Sequence, residues 1–178
     1  MKSSGRTGRC TRALAGGLGL GVLLAQASGA AAATASGTLL VSATVESTCT
    51  IAANPLSFPT YYPGRGGVTA NTILSVRCSR GAPFSVAMDA GTGGANLAQR
   101  LMSSGASRLQ YNLYTNAART TVWGDGTLSS ATVSGTGRGL AAGQAVIETV
   151  YGQVPDVSAN QDLAPGVYTD TVRVTVSY

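Results

Sequence analysis

Beyond residue 36 the hydrophobic residues of this chain recur at every second position, in short runs that break at Gly, Pro, Asn or Ser. Side chains of an extended strand alternate between two faces, so period two marks a half-buried strand, whereas a helix repeats at i, i+3, i+4 and i+7. Residues 37–45, GTLLVSATV, set Leu39, Val41, Ala43 and Val45 on one face and Leu40, Ser42 and Thr44 on the other. Residues 72–78 put Leu74, Val76 and Cys78 together, and residues 84–89 do the same for Phe84, Val86 and Met88. Further strands are expected at 48–52, around Leu101 and Met102, through Leu109, Tyr111 and Leu113, at Val122 and Trp123, and at 132–136, 144–153 and 167–178. The last has Val172, Val174, Val176 and Tyr178 on one face, with Asp170 beyond its buried part; in 144–153 Ile147 and Tyr151 oppose Val146 and Val150, which leaves the buried face open. Pro59 interrupts Leu56, Phe58 and Tyr61, so that segment reads as extended or as an edge; residues 62–67 and 90–96 read as loops. No window holds a helical pattern for more than about one turn, residues 116–119 being a candidate. The expected class is all-β, a β-sandwich.

The N-terminus reads as an export signal. Lys2, Arg6, Arg9 and Arg12 precede an uncharged apolar run, residues 13–27, and small residues around Ser28, Gly29 and Ala30 offer cleavage sites. The run falls short of the about 20 residues a membrane span needs. Cys10 precedes it and would be lost with the signal. The expected organisation is a removed signal at 1–33, an N-terminal extension at 34–47 and one domain at 48–178. Four of the 12 Lys and Arg fall within the signal, leaving eight against seven acids. Those eight arginines are scattered singly, so no basic stripe for nucleic acid is present. Two cysteines remain, Cys49 and Cys78, and an even count in an exported chain reads as a disulfide, with two free thiols as the alternative.

Much chemistry is excluded by composition. The chain has no histidine, and Lys2 is its only lysine. Ser-His-Asp and Cys-His systems and the usual zinc and copper ligand sets therefore drop out, and, with Lys2 expected to leave with the signal, so does Schiff-base catalysis in the mature chain. Glu46, Asp89, Asp125, Glu148, Asp156, Asp162 and Asp170 remain for acid–base work. Each is expected at a strand end or turn, where acids are solvated; a glycosidase would need two of them across a cleft. Asp156 and Asp162 with Asn160 between them resemble calcium ligands, but the Gly and terminal Glu of such a loop are missing and a turn is the plainer reading. Tyr61, Tyr62, Tyr111, Tyr114, Tyr151 and Trp123 would suit a sugar-stacking platform; alternation instead assigns Tyr111, Tyr151 and Trp123 to the core and Tyr61 and Tyr62 to a loop. No catalytic residue, metal or cofactor is expected.

Four stretches carry a resemblance: TCTI at 48–51, FSVAMDAGTG at 84–93, YNLYTNAARTTVWGDG at 111–126 and PGVYTDTVRVTVSY at 165–178. Together they resemble the spore coat protein U domain family, which includes subunits of archaic chaperone–usher pili. Pro59 stands where the family tends to have Gly, and Asn116 where Asp is common. The resemblance implies an immunoglobulin-like antiparallel sandwich that lacks one strand. A periplasmic chaperone fills the gap first, and the N-terminal strand of the next subunit, delivered at an outer-membrane usher, replaces it. Carried onto this chain, Leu39, Val41, Ala43 and Val45 would be the donor-strand residues, Val172, Val174, Val176 and Tyr178 would border the acceptor groove, and Cys49–Cys78 would be the disulfide. The expected product is a non-catalytic, head-to-tail polymer at the cell surface, a pilus or coat. Two other outcomes stand beside it: a secreted binding module of adhesin type, possible for carbohydrate, and a monomer closed by its own N-terminal strand. With room for only one domain, the shaft or coat role is preferred to a tip adhesin, and the short stretch from Val45 to Cys49 works against self-closure.

Overall fold

The computed structural model describes residues 32–94 and 96–178. The basic residues, apolar run, Cys10 and cleavage frames of the expected signal, residues 1–31, lie outside the described residues. The chain divides into two units, residues 1–42 and 43–178. In the first, residues 32–42 have no regular structure and are exposed; in the second, residues 43–48 are exposed as well. The strand expected at 37–45 is therefore not formed. Period two supplies faces, but a strand also needs a partner's backbone bonds.

The second unit is an antiparallel β-sandwich. Its strands are β1 (Cys49–Ala53), β2 (Val68–Cys78), β3 (Pro83–Met88), β4 (Arg100–Ser104), β5 (Ser107–Tyr114), β6 (Val133–Thr136), β7 (Val146–Val154) and β8 (Val174–Ser177). One sheet runs β1-β2-β7-β5-β4 and the other β6-β3-β8. The alternation seen in the sequence becomes the core: Leu74, Val76 and Cys78 from β2, Phe84, Val86 and Met88 from β3, and Leu109, Tyr111 and Leu113 from β5 are all buried. Each fully buried aliphatic or aromatic side chain contributes about 1.5–3 kcal/mol of transfer free energy. Cys49 lies opposite Cys78 in the β1–β2 register, and the two are bonded as a disulfide. Gly105, at φ 56, opens the two-residue turn between β4 and β5, a left-handed position that suits glycine.

Several expectations are corrected. The open face of the 144–153 run resolves with Val150 and Val154 inward and Ile147 half exposed. Tyr151 shares the outward face with its register partner Tyr114 and is not core, whereas Tyr111 and Trp123 are. Residues 116–119 form a turn closed by Arg119 N–H donating to Asn116 at 3.0 Å, not a helical turn. One-turn helices occur instead at Ala142–Gln144 and Ser158–Gln161. Glu148 is not at a strand end: it sits within β7 opposite Leu74, and burial pushes its carboxyl up. In 167–178 only Val174–Ser177 is a strand; before it, Thr169 makes one bridge to Ser103 of β4.

The core also holds polar residues that were not legible in the sequence, Arg100 foremost among them. Arg100 is fully buried and donates to the Asp89 carbonyl at 2.9 and 2.7 Å, to Asn112 Oδ1 at 2.6 Å and to the Trp123 carbonyl at 2.8 Å. Its guanidinium thus joins the end of β3, the 112 position of β5 and the Trp123 segment. Trp123 donates in turn from Nε1 to the Val86 carbonyl at 3.0 Å. An uncharged Arg100→Met leaves those acceptors unpaired, and hydrogen bonds to charged groups contribute about 1.5–3 kcal/mol each. We expect urea unfolding of Arg100→Met to show a loss of at least about 3 kcal/mol.

Candidate functional site

The edges of the two sheets define the site. Peptide groups along a strand point alternately to its two sides. Asp89 N–H donates to the Arg173 carbonyl at 3.1 Å, and the register continues as Ala87 with Thr175 and Ser85 with Ser177. Arg173, Thr175 and Ser177 therefore turn their amides and carbonyls toward β3, and Val172, Val174 and Val176 turn theirs away. β8 is the last strand of its sheet, so that side is a free edge. β1 is likewise the last strand of the other sheet. Thr48 accepts from Ser79 and Asn54 donates to Ile73, which leaves Cys49, Ile51 and Ala53 facing away from β2.

Between these edges runs a groove of about 1150 Å³. One wall is residues 53–63 and the other residues 163–172 with Val174; the floor is the core itself, including Leu74, Met88, Leu109, Leu113, Val150 and Val154. The volume exceeds the roughly 300–1,000 Å³ of small-molecule pockets. Pro55, Pro59 and Pro63 lie in the first wall and carry no N–H, which keeps it out of either sheet. Leu56 and Phe58 anchor that wall by packing over Gly152, where a Cβ would come within 2.8 Å of the Phe58 ring. Phe58 also meets Tyr111 edge-on, with centroids 6.3 Å apart.

A carboxylate pins each wall. Asp156 accepts from Tyr61 Oη at 2.5 Å, Gly64 N–H at 3.0 Å, Gly66 N–H at 2.8 Å and Gln161 Nε2 at 3.2 Å. These bonds, the tyrosine's first, hold its carboxyl down at about 2. Burial and the bond to Asp156 push the Tyr61 phenol up to about 12. Asp170 accepts from Thr92 N–H and Oγ1 at 2.8 and 2.9 Å, from the amides of Gly93 and Thr171 at 3.1 and 2.7 Å, and from Tyr111 Oη at 2.6 Å. Burial, then Asp170, raises the Tyr111 phenol. Asp170 is thus a half-buried hub, not a solvated residue past the strand. Asn160, between Asp156 and Asp162, is fully buried and spends its amide on Gln110 and Pro155. Among the described residues no cluster of acids, cysteines or histidines could hold a metal.

Of the residues assigned to the groove from the sequence, Val172 and Val174 line it, Val176 packs against the core beyond it, and Tyr178 is exposed. Of those assigned to the donor strand, Leu39, Val41 and Val45 are 80–90 % exposed and Ala43 is exposed too. The first wall, Gly152 and the two carboxylate pins were not identified from the sequence. The three prolines spaced four apart were the available signal for the wall.

An all-β sandwich with two free strand edges over an open core is the class that this geometry defines. The family described as SCPU, Spore Coat Protein U domain, matches residues 35–175, and the chain belongs to it. Among solved structures, the fold is similar to a chain in the crystal structure of the CsuC–CsuE chaperone–tip adhesion subunit pre-assembly complex from archaic chaperone-usher Csu pili of Acinetobacter baumannii. The TM-score is 0.51 at 24% identity, over 76% of this chain and 41% of that one. The present chain thus spans less than half the length of that relative. No curated protein sequence matches.

The Asp156 pin carries a pH dependence of definite sign. Its folded value lies below the ordinary 3.8, so the stabilisation is full above about pH 4 and is lost as pH falls through about 2. Asp156→Asn should mimic the acid state at neutral pH. Amide exchange at Gly64 and Gly66 is expected to rise in the variant; exchange unchanged from wild type would show that the pin does not hold the wall.

Proposed function

We propose that this chain is a structural, non-catalytic subunit of a surface fibre or coat, assembled by strand exchange. Residues 37–45 of one copy enter the groove of the next. The observation that carries this reading is the free β8 edge over an open core, in a chain that also bears an unpaired, exposed, period-two segment. An added strand would satisfy the outward amides of Val172, Val174 and Val176 and cover the groove floor. Burying Leu39, Val41, Ala43 and Val45 is worth roughly 6–8 kcal/mol gross, before ordering costs. Donor and acceptor are different surfaces, so the contact is heterologous and propagates as a fibre.

The lining of the groove favours exchange between copies. A hairpin that folded residues 37–45 back along β1 would set Val45 beside Cys49 and Gly37 beside Ser57. The wall of the groove runs on to Pro63. A segment in its own subunit therefore reaches only the near part of the groove, whereas one from a neighbour can lie along all of it. By its likeness to a chain from a chaperone–subunit complex, the subunit would first be held by a periplasmic chaperone and handed on at an outer-membrane usher, after export under the N-terminal signal. Among the described residues no helix is long and apolar enough to cross a membrane.

The test is electrophoresis of the exported chain, co-expressed with its chaperone and usher, in SDS without boiling. A ladder that collapses on boiling and is lost both on deletion of residues 37–45 and in Val41→Asp is expected. A single monomer band that neither change alters would overturn the proposal.

A further inference from the structure

Past residue 31 the sequence contains two methionines, Met88 and Met102, and both line the groove. They are not equivalent. Met88 is 3 % exposed, opposite Val174 in the β3–β8 register. Met102 is half-buried on β4, the edge strand of the larger sheet, opposite Leu109. The other readily oxidised side chains are protected: Cys49 and Cys78 are bonded to each other, and Trp123 is fully buried with its N–H donated to Val86. The accessible thioether of the folded domain therefore lies in the surface that an incoming strand must cover.

Resting on the strand-acceptor reading, we propose that Met102 is an oxidation site that decides whether the groove can take a strand, with a peroxide as the reactant. The sulfur lone pair attacks one oxygen of hydrogen peroxide. An S–O bond forms as the O–O bond breaks, sulfur loses two electrons, and the other oxygen leaves as hydroxide, which takes the proton from the new S–OH group to become water and leaves the sulfoxide. The sulfoxide is polar and a hydrogen-bond acceptor, whereas the thioether is a flexible apolar filler. Placed against Leu109 in a groove floored by core residues, it must be desolvated when a strand docks, and the apolar side chains Leu39, Val41, Ala43 and Val45 of that strand offer it no side-chain donor. An empty groove is thus vulnerable and a filled one is shielded: assembly protects the residue whose oxidation prevents assembly.

The experiment treats the full chain with hydrogen peroxide, with and without a peptide of residues 37–45, and follows each methionine by mass spectrometry. Met102 should oxidise faster than Met88, and saturating peptide should slow it by about tenfold or more. The chain oxidised at Met102 should bind the peptide at least about tenfold more weakly. Methionine sulfoxide reductase should restore binding, and Met102→Leu should bind the peptide before and after peroxide alike. Peptide binding that leaves the Met102 rate unchanged, or a Met102 sulfoxide chain that binds normally, overturns this proposal alone. Failure of the unoxidised chain to bind the peptide overturns it together with the strand-acceptor reading.

Discussion

A strand has two sides from which amides and carbonyls project, and β8 is paired along one of them. Much of the architecture follows from that inequality. The C-terminal segment bridges β4 at Thr169 and then runs beside β3 from Arg173 to Ser177, so it links the two sheets while belonging fully to neither. Opposite it, the chain beyond β1 continues as a proline-punctuated wall. Between the two, the core is reached from outside through the groove, where in a closed sandwich another strand would stand. Unpaired backbone and uncovered apolar surface in the same place are a liability in a finished monomer and a binding site in a subunit.

An open core needs reinforcement that a closed one does not, and polar groups provide it. Asp156 gathers Tyr61 and two glycine amides onto one wall, and Asp170 gathers the 92–93 loop and Tyr111 onto the other. Arg100 ties three segments together through two carbonyls and one amide oxygen. Each group is satisfied by partners from distant parts of the chain, so these contacts also fix how the segments are arranged. Side-chain bonds, and not a backbone ladder, hold the walls on either side of the groove.

The faces of β2, β3 and β5 were legible in the sequence because alternation is a local property: Leu74, Val76, Cys78, Phe84, Val86 and Met88 are buried as their positions require. The pairing of Cys49 with Cys78 followed from count and compartment. The 144–153 run was ambiguous because apolar residues occupy both of its faces, and only packing against β2 and β5 chose Val150 over Ile147. Residues 37–45 carry as clear a strand pattern as any, yet have no strand in this chain. Their pattern describes a face, and the edge that would complete them is not a local feature.

By itself, then, the sequence determined the class, the alternating apolar faces of β2, β3 and β5 and the lack of any histidine, since each depends on residue type and on spacing within a few positions. Tertiary structure decided which strand sides are left unpaired, that Asp156 and Asp170 are structural hubs, and that both described methionines meet in one groove. Those facts depend on contacts between residues far apart in the chain, such as Tyr61 with Asp156 and Tyr111 with Asp170. A period-two pattern assigns each side chain to a face of its strand. It carries no information about which strand will lie alongside, and the groove is a consequence of that second choice.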